Sequence, residues 1–262
     1  MALLKKNRRQ VFEYVINLKN VCVRYGKLSA LNIDELRIER SERIFVLGRS
    51  GSGKTTLSKL IKGRIEASGG EVNVLGLDPF EAQHVQRRES QQRIAMIDQE
   101  FFLIPRLSVV NNVLLGCLGR VSPWKTYFGW YPSDEWEKAE SILNEVGLRG
   151  IGHRRVETLS GGQRQRAAIA RALMQDADII LADEPVSNLD PEFAVDVLKL
   201  LVDCAERRSV TLLVNIHQPS LARKFASRFI GLADGKVIYD GPPINLTADN
   251  EEFIYRGNGK EK

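Results

Sequence analysis

Short apolar runs recur along the chain, and each of them ends at polar or glycine residues. They occupy residues 43–47, 94–97, 179–182 and 210–216. Runs of this length bounded by breakers are typical of buried strands in a parallel sheet. Segments with helical spacing alternate with these strands from about residue 43 onward. The pattern therefore predicts an α/β fold with a mainly parallel sheet.

Two other segments predict strands of a different kind. Val21, Val23 and Tyr25 alternate with polar residues before a glycine, which is the pattern of a strand with one buried face. Near the C-terminus, two short apolar segments are joined by Asp234 and Gly235. This dipeptide is a strong signal for a type I′ hairpin turn.

Residues 159–165 read LSGGQRQ and precede a segment with helical periodicity, AAIARALMQ. Ser160 is a good N-cap, and Gln163 completes a capping box. Gly161 and Gly162 leave the first backbone amides uncovered, so the helix N-terminus can bind an anion. Taken alone, an ordinary capped helix is the better interpretation of this segment.

A second anion-binding helix start follows the first apolar run. Residues 48–55 read GRSGSGKT, the P-loop pattern, between a predicted strand and a predicted helix. In such a loop Lys54 reaches the β- and γ-phosphates and the Thr55 hydroxyl binds magnesium. The alternative is a chance glycine-rich turn. The predicted phosphate-binding residues are Gly48, Arg49, Ser50, Gly51, Ser52, Gly53, Lys54, Thr55 and Thr56.

Polar side chains follow three of the other predicted strands. Gln99 follows residues 94–97, Asp183 and Glu184 follow residues 179–182, and His217 follows residues 210–216. Ligands bind beyond the carboxyl ends of parallel strands, so these groups should converge on phosphates held by the P-loop. A solvated strand end is the alternative for the carboxylates, and His217 alone would fit an ordinary sheet-edge histidine.

The P-loop and LSGGQ together resemble the ATP-binding cassette (ABC) ATPases, whose signature is LSGGQ. A given pentapeptide occurs by chance in a chain of this length with a probability on the order of one in ten thousand. The resemblance implies one ABC ATPase domain over 13–258, with a mainly parallel core sheet and an N-terminal antiparallel β subdomain. An inserted helical subdomain would span about 100–172, and residues 1–12 would form a basic N-terminal extension.

The resemblance also implies the chemistry at the strand ends. Asp183 would hold Mg²⁺ through water, as in the family, opposite Thr55. Glu184 would act as the general base that polarises the attacking water. Gln99 would touch both the metal and this water, and His217 would contact the γ-phosphate.

Other residues acquire roles through the same family. Tyr25 stands where an aromatic stacks on adenine, although strand-end tyrosines are common. Residues 187–190, which read SNLD and end at Asp190, match the loop that lines the contact between two ATPase domains.

Each ATP would lie between the P-loop of one subunit and the signature of the other, which implies a two-fold homodimer. The signature residues expected to bind the γ-phosphate are Ser160, Gly161, Gly162 and Gln163.

Composition limits the class of protein. No apolar run approaches the roughly 20 residues of a membrane-spanning helix, and the basic N-terminus is not followed by a secretory signal pattern. Three widely spaced cysteines indicate neither a disulfide framework nor a metal cluster. The net charge of +5 is a modest excess that gives no reason to expect a nucleic-acid partner. We expect a cytoplasmic protein, peripheral on the inner face of the cell membrane.

Residues 100–120 and 123–130 carry a more particular resemblance. Their sequence is similar to that of the ATPase subunits of phosphonate importers, and it reads EFFLIPRLSVVNNVLLGCLGR and PWKTYFGW. It implies ATP-driven uptake of a phosphonate or related phosphorus oxyanion through a separate permease fed by a solute-binding protein. Asp98 departs from the apolar residue that often precedes the glutamine.

An aromatic cluster within this region has two interpretations. Packing inside the helical subdomain is favoured, and a groove that receives a permease helix is the alternative. The cluster consists of Trp124, Tyr127, Phe128, Trp130 and Tyr131.

Other functions share the same motifs. The chain could serve another transporter, for another solute, for export or for lipoprotein release, or act as a soluble ABC ATPase in cluster assembly or DNA repair. DNA-repair members usually carry long coiled coils, and no sustained heptads occur here. A non-catalytic scaffold would lack Lys54, Glu184 or His217, all of which are present.

Overall fold

Two β-sheets and a layer of helices make up the described part of the protein. The computed structural model describes residues 13–122, 124, 126, 129–187 and 189–256. Its strands are β1 (Ile16–Tyr25), β2 (Leu28–Ile38), β3 (Arg43–Leu47), β4 (Gly69–Val74), β5 (Ile94–Ile97), β6 (Ile179–Asp183), β7 (Thr211–Ile216), β8 (Arg228–Ala233) and β9 (Lys236–Gly241). The helices are α1 (Lys54–Ile61), α2 (His84–Gln92), α3 (Val109–Leu114), α4 (Ser133–Glu145), α5 (Gly161–Met174), α6 (Pro191–Arg207), α7 (Pro219–Ala222) and α8 (Ala248–Arg256).

The central sheet has the strand order β5–β6–β7–β3–β8–β9. Its first five strands are parallel, and β9 is antiparallel to β8. Strands β6 and β7 are buried along their whole length, which explains why their sequences are continuous apolar runs rather than alternating ones. The predicted α/β class and the mainly parallel core sheet are confirmed.

The second sheet is antiparallel, with the order β2–β1–β4. Its apolar face and the central sheet enclose one hydrophobic cluster, which includes Leu31, Ile44, Leu57 and Ile230. This cluster surrounds α1, so the helix that begins at the P-loop is fixed between the two sheets. The predicted N-terminal antiparallel subdomain is confirmed.

The opposite side of the central sheet is covered by helices. Helices α3, α4 and α5 pack on one another around Val113, Leu143 and Ile169, within a second hydrophobic cluster that continues under β5 and β6. Most of these helices lie in the range predicted for a helical subdomain, although α5 extends two residues beyond residue 172 to Met174. None of the helices in the described ranges is long and apolar enough to cross a membrane.

The turn between β8 and β9 is the predicted two-residue hairpin. Asp234 and Gly235 both have left-handed backbones, with φ of 48° and 78°, as a type I′ turn requires. The amide of Gly235 donates to the carbonyl of Ser52 (3.0 Å), and its carbonyl accepts from the amide of Asn32 (2.8 Å). A Cβ at Gly235 would lie 2.8 Å from the Ala30 carbonyl oxygen. The turn therefore joins the P-loop to the antiparallel sheet through a close backbone contact.

The aromatic cluster does not behave as one packed unit. Tyr131 packs edge-on against Trp136, with ring centroids 6.4 Å apart. Trp124 and Trp130 are instead 79% and 72% exposed. Burial as the common role of these aromatics was therefore wrong for the two tryptophans, and Tyr127 and Phe128 lie outside the described residues.

An ion-pair cluster joins the helical layer to the main body. Glu145, the last residue of α4, accepts hydrogen bonds from Arg208 (Nη1, 2.8 Å) and from Arg207 (Nη2, 2.7 Å) at the end of α6. These guanidinium groups lower the pKa of Glu145 to about 2. The carboxylate is thus stabilised in its ionised form, and the two helix ends are held together.

Removing this charge should destabilise the fold in a pH-dependent way. Because the pKa of Glu145 is depressed in the folded protein, its stabilisation is complete above the ordinary pKa of 4.5 and is lost as the pH falls toward 2. We expect Glu145→Gln to lower the free energy of unfolding by about 1 kcal/mol near pH 7, allowing for solvent screening. Urea unfolding should show a smaller difference near pH 3, and an equal loss at both pH values would contradict this role.

Candidate functional site

Three glycines shape the loop between β3 and α1. Gly48, Gly51 and Gly53 have φ of 154°, 80° and 108°, in a region that favours glycine. A Cβ at Gly48 would lie 2.4 Å from Oγ of Ser52 and 2.5 Å from the carbonyl of Leu232. The loop is therefore compact because side chains are missing where the backbone turns.

The loop ends at an uncapped helix start. Gly53 is the N-cap of α1 and provides no side-chain cap, and the first turn holds no acidic residue. Free amides at a helix N-terminus, together with the positive end of the helix dipole, form an anion site. Thr55, Arg49 and Ser50 are exposed at this place, and Thr56 is half-buried.

Lys54 lies inside the P-loop rather than in solvent. It is only 4% exposed, and its Nζ donates to the carbonyls of Gly48 (2.7 Å) and Arg49 (3.0 Å). Burial lowers the pKa of Lys54, and the carboxylates of Glu184 and Asp183 act in the opposite direction. The ammonium group is thus held at the centre of the loop and close to the acidic pair that the sequence predicted.

Asp183 ends β6 and is 8% exposed. Its Oδ1 accepts a hydrogen bond from Nδ2 of Asn215 (2.7 Å), whose amide also contacts Oγ of Ser58 on α1 (3.0 Å). Asn215 therefore orients the carboxylate relative to the P-loop helix. Sequence reasoning missed this residue, although an asparagine within an apolar strand run is an unusual choice that needs a polar partner.

Glu184 follows Asp183 and has a left-handed backbone, with φ of 50°. Such a conformation costs about 1–3 kcal/mol in a residue other than glycine, and it persists at functional sites where the surroundings enforce it. Here the amide of Glu184 donates to the carbonyl of Asn215 (3.1 Å) on the neighbouring strand. From this position the Glu184 carboxylate contacts His217.

His217 contacts both the P-loop and Glu184. Nδ1 lies 3.2 Å from the Gly48 carbonyl oxygen, and Nε2 lies 2.5 Å from Oε1 of Glu184. The carbonyl oxygen can only accept, so this contact places Nδ1 as a donor to the P-loop, while Nε2 faces the carboxylate. This leaves Oε2 of Glu184 for a water molecule. A cavity of about 240 Å³ adjoins the pair, lined also by Ser187 and Gln218.

Gln99 reaches the same edge of the sheet from the end of β5. Its Nε2 donates to Oγ of Ser187 (3.4 Å), and that hydroxyl donates to the carbonyl of Glu184 (3.2 Å). The structure therefore brings Gln99, Asp183, Glu184 and His217 together as the strand-end argument predicted.

The signature residues lie at the start of α5, which is called the signature helix below. Oγ of Ser160 accepts from the amide of Gln163 (3.2 Å), and Oε1 of Gln163 accepts from the amide of Ser160 (3.1 Å). The predicted capping box is confirmed. Neither Gly161 nor Gly162 has a left-handed backbone, and a Cβ at either would meet nothing within 4 Å. Neither backbone conformation nor packing within a single chain therefore requires glycine at these two positions.

For two predicted site residues, Tyr25 and Asp190, the structure shows a position and an exposed side chain but no contact that assigns a role. Tyr25 ends β1 and is 50% exposed. It lies on the β1–β2 hairpin, which approaches the P-loop where a Cβ at Gly53 would be 2.8 Å from the Ala30 carbonyl. Asp190 is exposed as the N-cap of α6. The adenine and subunit-contact roles of these residues stay predictions, and Asn188 lies outside the described residues.

The residues at this edge fit a magnesium–nucleotide complex. The uncapped amides of α1 and the buried Lys54 suit phosphate oxygens, and the buried hydroxyl of Ser52 lacks a hydrogen-bond partner in the described part of the chain. Asp183 and the Thr55 hydroxyl offer the oxygen ligands that Mg²⁺ prefers. No group of three or more histidine, cysteine or carboxylate side chains in the described ranges could hold a metal.

Comparison with known proteins decides the family. The model of the ABC transporter family matches residues 31–187, which include the P-loop, the signature and the acidic pair. The chain belongs to the ABC transporter family. As a member of this family, it is an ATP-hydrolysing enzyme.

Curated relatives of this ABC protein cover most of the chain. It is 43% identical over 212 residues to the phosphonates import ATP-binding protein PhnC of Nitratidesulfovibrio vulgaris, covering 81% of this chain and 80% of that protein. It is 39% identical over 249 residues to the protein of the same name from Shigella flexneri, covering 92% of this chain and 94% of the relative.

Solved structures share the fold. CbiO1 of Clostridium perfringens, part of the ABC transporter complex cbiONQ, has a TM-score of 0.80 at 23% identity, covering 92% of this chain and 93% of its own. The dimeric cassette MJ0796, in a post-hydrolysis state with ADP and Pi, has a TM-score of 0.75 at 30% identity. The match covers 87% of this chain and 98% of that one. The ABC ATPase fold expected from the motifs is thereby confirmed.

Proposed function

We propose that this ATPase drives the uptake of a phosphonate or a related phosphorus oxyanion. Two copies bind two Mg-ATP, close, hydrolyse and reopen, and a separate permease fed by a solute-binding protein carries the solute. The observation that carries this proposal is the likeness to phosphonates import ATP-binding proteins over most of the chain. Residues 100–120 and 123–130 support the same solute class, because their sequence is similar to that of the ATPase subunits of phosphonate importers.

The dimer is supported by the two glycines of the signature. Gly161 and Gly162 face open space, so their lack of side chains suits a ligand that approaches from outside the chain. The signature helix presents an N-terminus there, which favours the γ-phosphate of an ATP held by the P-loop of a second subunit. A dimer of MJ0796 with ADP and Pi is known among the similar structures.

Each residue at the sheet edge has a defined task in this proposal. A bound Mg²⁺ would neutralise charge on the β- and γ-phosphates. Thr55 and Asp183 would hold the metal, and Asn215 fixes the Asp183 carboxylate. Oε2 of Glu184 accepts a proton from the attacking water, while His217 holds the Glu184 side chain through Oε1.

The transport role has a direct genetic test. Deletion of the gene should abolish growth on a phosphonate as sole phosphorus source and leave growth on inorganic phosphate unchanged. Expression of the wild-type chain should restore growth, and expression of Glu184→Gln should not. Unimpaired growth of the deletion strain on phosphonates would overturn the solute assignment and leave the ATPase assignment intact. Co-purification with a membrane permease would then identify the transporter that it serves.

A further inference from the structure

Arg171 connects the signature helix to the loop that follows Gln99. Its Nη1 donates to the carbonyl of Phe102 (2.7 Å), and its Nη2 donates to the carbonyl of Phe101 (2.6 Å). The planar guanidinium group thus donates to the carbonyls of two successive residues. The guanidinium group makes the two contacts from two nitrogens held in one rigid plane, whereas a lysine would have to make both from one nitrogen at the end of a flexible chain.

The two peptides that Arg171 holds are strained. The amide of Phe102 donates to the carbonyl of Glu100 (2.7 Å), which closes a γ-turn around Phe101. Phe101 and Phe102 have φ of 60° and 41°, so two bulky residues in succession are left-handed. Conformations of this kind cost about 1–3 kcal/mol each and persist only where neighbouring groups enforce them. Arg171 donates a hydrogen bond to each of these two carbonyls and so holds them in place.

The other side of the loop is anchored to the P-loop helix. The carboxylate of Asp98 pairs with Arg64 just after α1 (3.1 Å), and the Asp98 carbonyl accepts from the amide of Phe101 (2.9 Å). Gln99 therefore lies between an anchor just after α1 and an anchor on the signature helix. Its amide already contacts Ser187, which in turn contacts the carbonyl of Glu184.

We propose that Arg171 is a positioning residue for Gln99, which transmits movement of the signature helix to the hydrolytic site. The proposal rests on the role of Gln99 in ATP hydrolysis proposed above. Arg171 lies three turns after Ser160 on one continuous helix, a distance of about 16 Å. When the partner's nucleotide displaces the signature end, the strained turn moves with Arg171, and Gln99 moves against the fixed Asp98–Arg64 pair.

A double-mutant cycle tests this link. The variants are Arg171→Met, Gln99→Ala and the two together, with kcat, ATP affinity and melting temperature measured for each. We expect Arg171→Met to lower kcat about 10- to 100-fold, the scale of a small misplacement of a catalytic group. ATP affinity should stay close to that of the wild type, because Arg171 does not contact the P-loop. In the Gln99→Ala background the same substitution should cause almost no further loss.

Matched variants separate positioning from simple destabilisation. Arg166→Met is the control, since Arg166 lies on the same helix and donates to the Val146 carbonyl (2.9 Å) away from the Gln99 loop; its kcat should be nearly unchanged. If Arg171→Met does not fold, Arg171→Lys keeps the charge but offers one nitrogen in place of the two planar ones, and it should show the same cycle with a smaller loss of kcat. Phe101→Gly and Phe102→Gly together should restore part of the kcat lost in Arg171→Met, because glycine adopts these backbones without strain.

The outcomes distinguish the two levels of the proposal. Wild-type kcat in Gln99→Ala would overturn the role of Gln99 and, with it, the role of Arg171. A loss in Gln99→Ala combined with additive effects in the double variant would overturn the role of Arg171 alone. A loss in Arg166→Met as large as that in Arg171→Met would also overturn it, because any disturbance of the helix would then suffice.

Discussion

Glu184→Gln is expected to lower ATP turnover by a factor of about 10² to 10⁴, the range of a lost general base, while ATP still binds. The amide has nearly the same shape as the carboxylate and cannot take a proton from water. His217 and the Asn215 carbonyl still hold residue 184 in place, so the geometry of the sheet edge should survive. The Mg-ATP complex should therefore accumulate in a closed dimer.

Turnover is measured as phosphate release, ATP affinity by titration, and the closed dimer by size-exclusion chromatography with and without ATP. Glu71→Gln is the matched control, because Glu71 is an exposed carboxylate on the antiparallel sheet. It should hydrolyse ATP at the wild-type rate. Phosphate release by Glu184→Gln within a few-fold of the wild type would remove Glu184 from the role of general base.

Lys54→Ala should weaken ATP binding by about 10- to 100-fold, the equivalent of one charged hydrogen bond. The buried ammonium is the positive charge at the centre of the P-loop, and alanine replaces it with no donor. The carbonyls of Gly48 and Arg49 also lose their partner, so the thermal stability of the free protein should fall slightly. The dissociation constant for ATP is measured by calorimetry.

Lys59→Ala is the control for this experiment. Lys59 lies on the same helix and is exposed, so its loss should leave ATP affinity unchanged. An ATP affinity of Lys54→Ala equal to that of the wild type would contradict the assignment of the P-loop.

Much of this site was readable from the sequence because its parts are local. The P-loop glycines, the capping box of Ser160 and Gln163 and the Asp234–Gly235 turn each depend on a few neighbouring residues. The convergence of Gln99, Glu184 and His217 followed from the rule that parallel strands end at one edge of a sheet. Family resemblance supplied the catalytic roles proposed for these residues.

Interactions between distant parts of the chain were not readable in this way. Asn215 donates a hydrogen bond to Asp183 from the neighbouring strand. Arg171 donates to carbonyls about 70 positions earlier in the chain. Backbone carbonyls bind a guanidinium group whatever their side chains are, so no local pattern marked Phe101 and Phe102 as its partners. The exposure of Trp124 and Trp130 likewise depends on tertiary packing and not on their hydrophobicity.

The central claim is that ATP is hydrolysed between two subunits, and complementation of two inactive variants tests it most directly. Lys54→Ala damages the P-loop, and Gly162→Asp places a negative charge at the signature, where a side chain meets no part of its own chain. Each variant alone should be almost inactive. A mixed dimer contains one site with an intact P-loop facing an intact signature, so equal co-expression should restore about a quarter of wild-type ATPase activity. Activity of the mixture no greater than that of the separate variants would contradict a shared site.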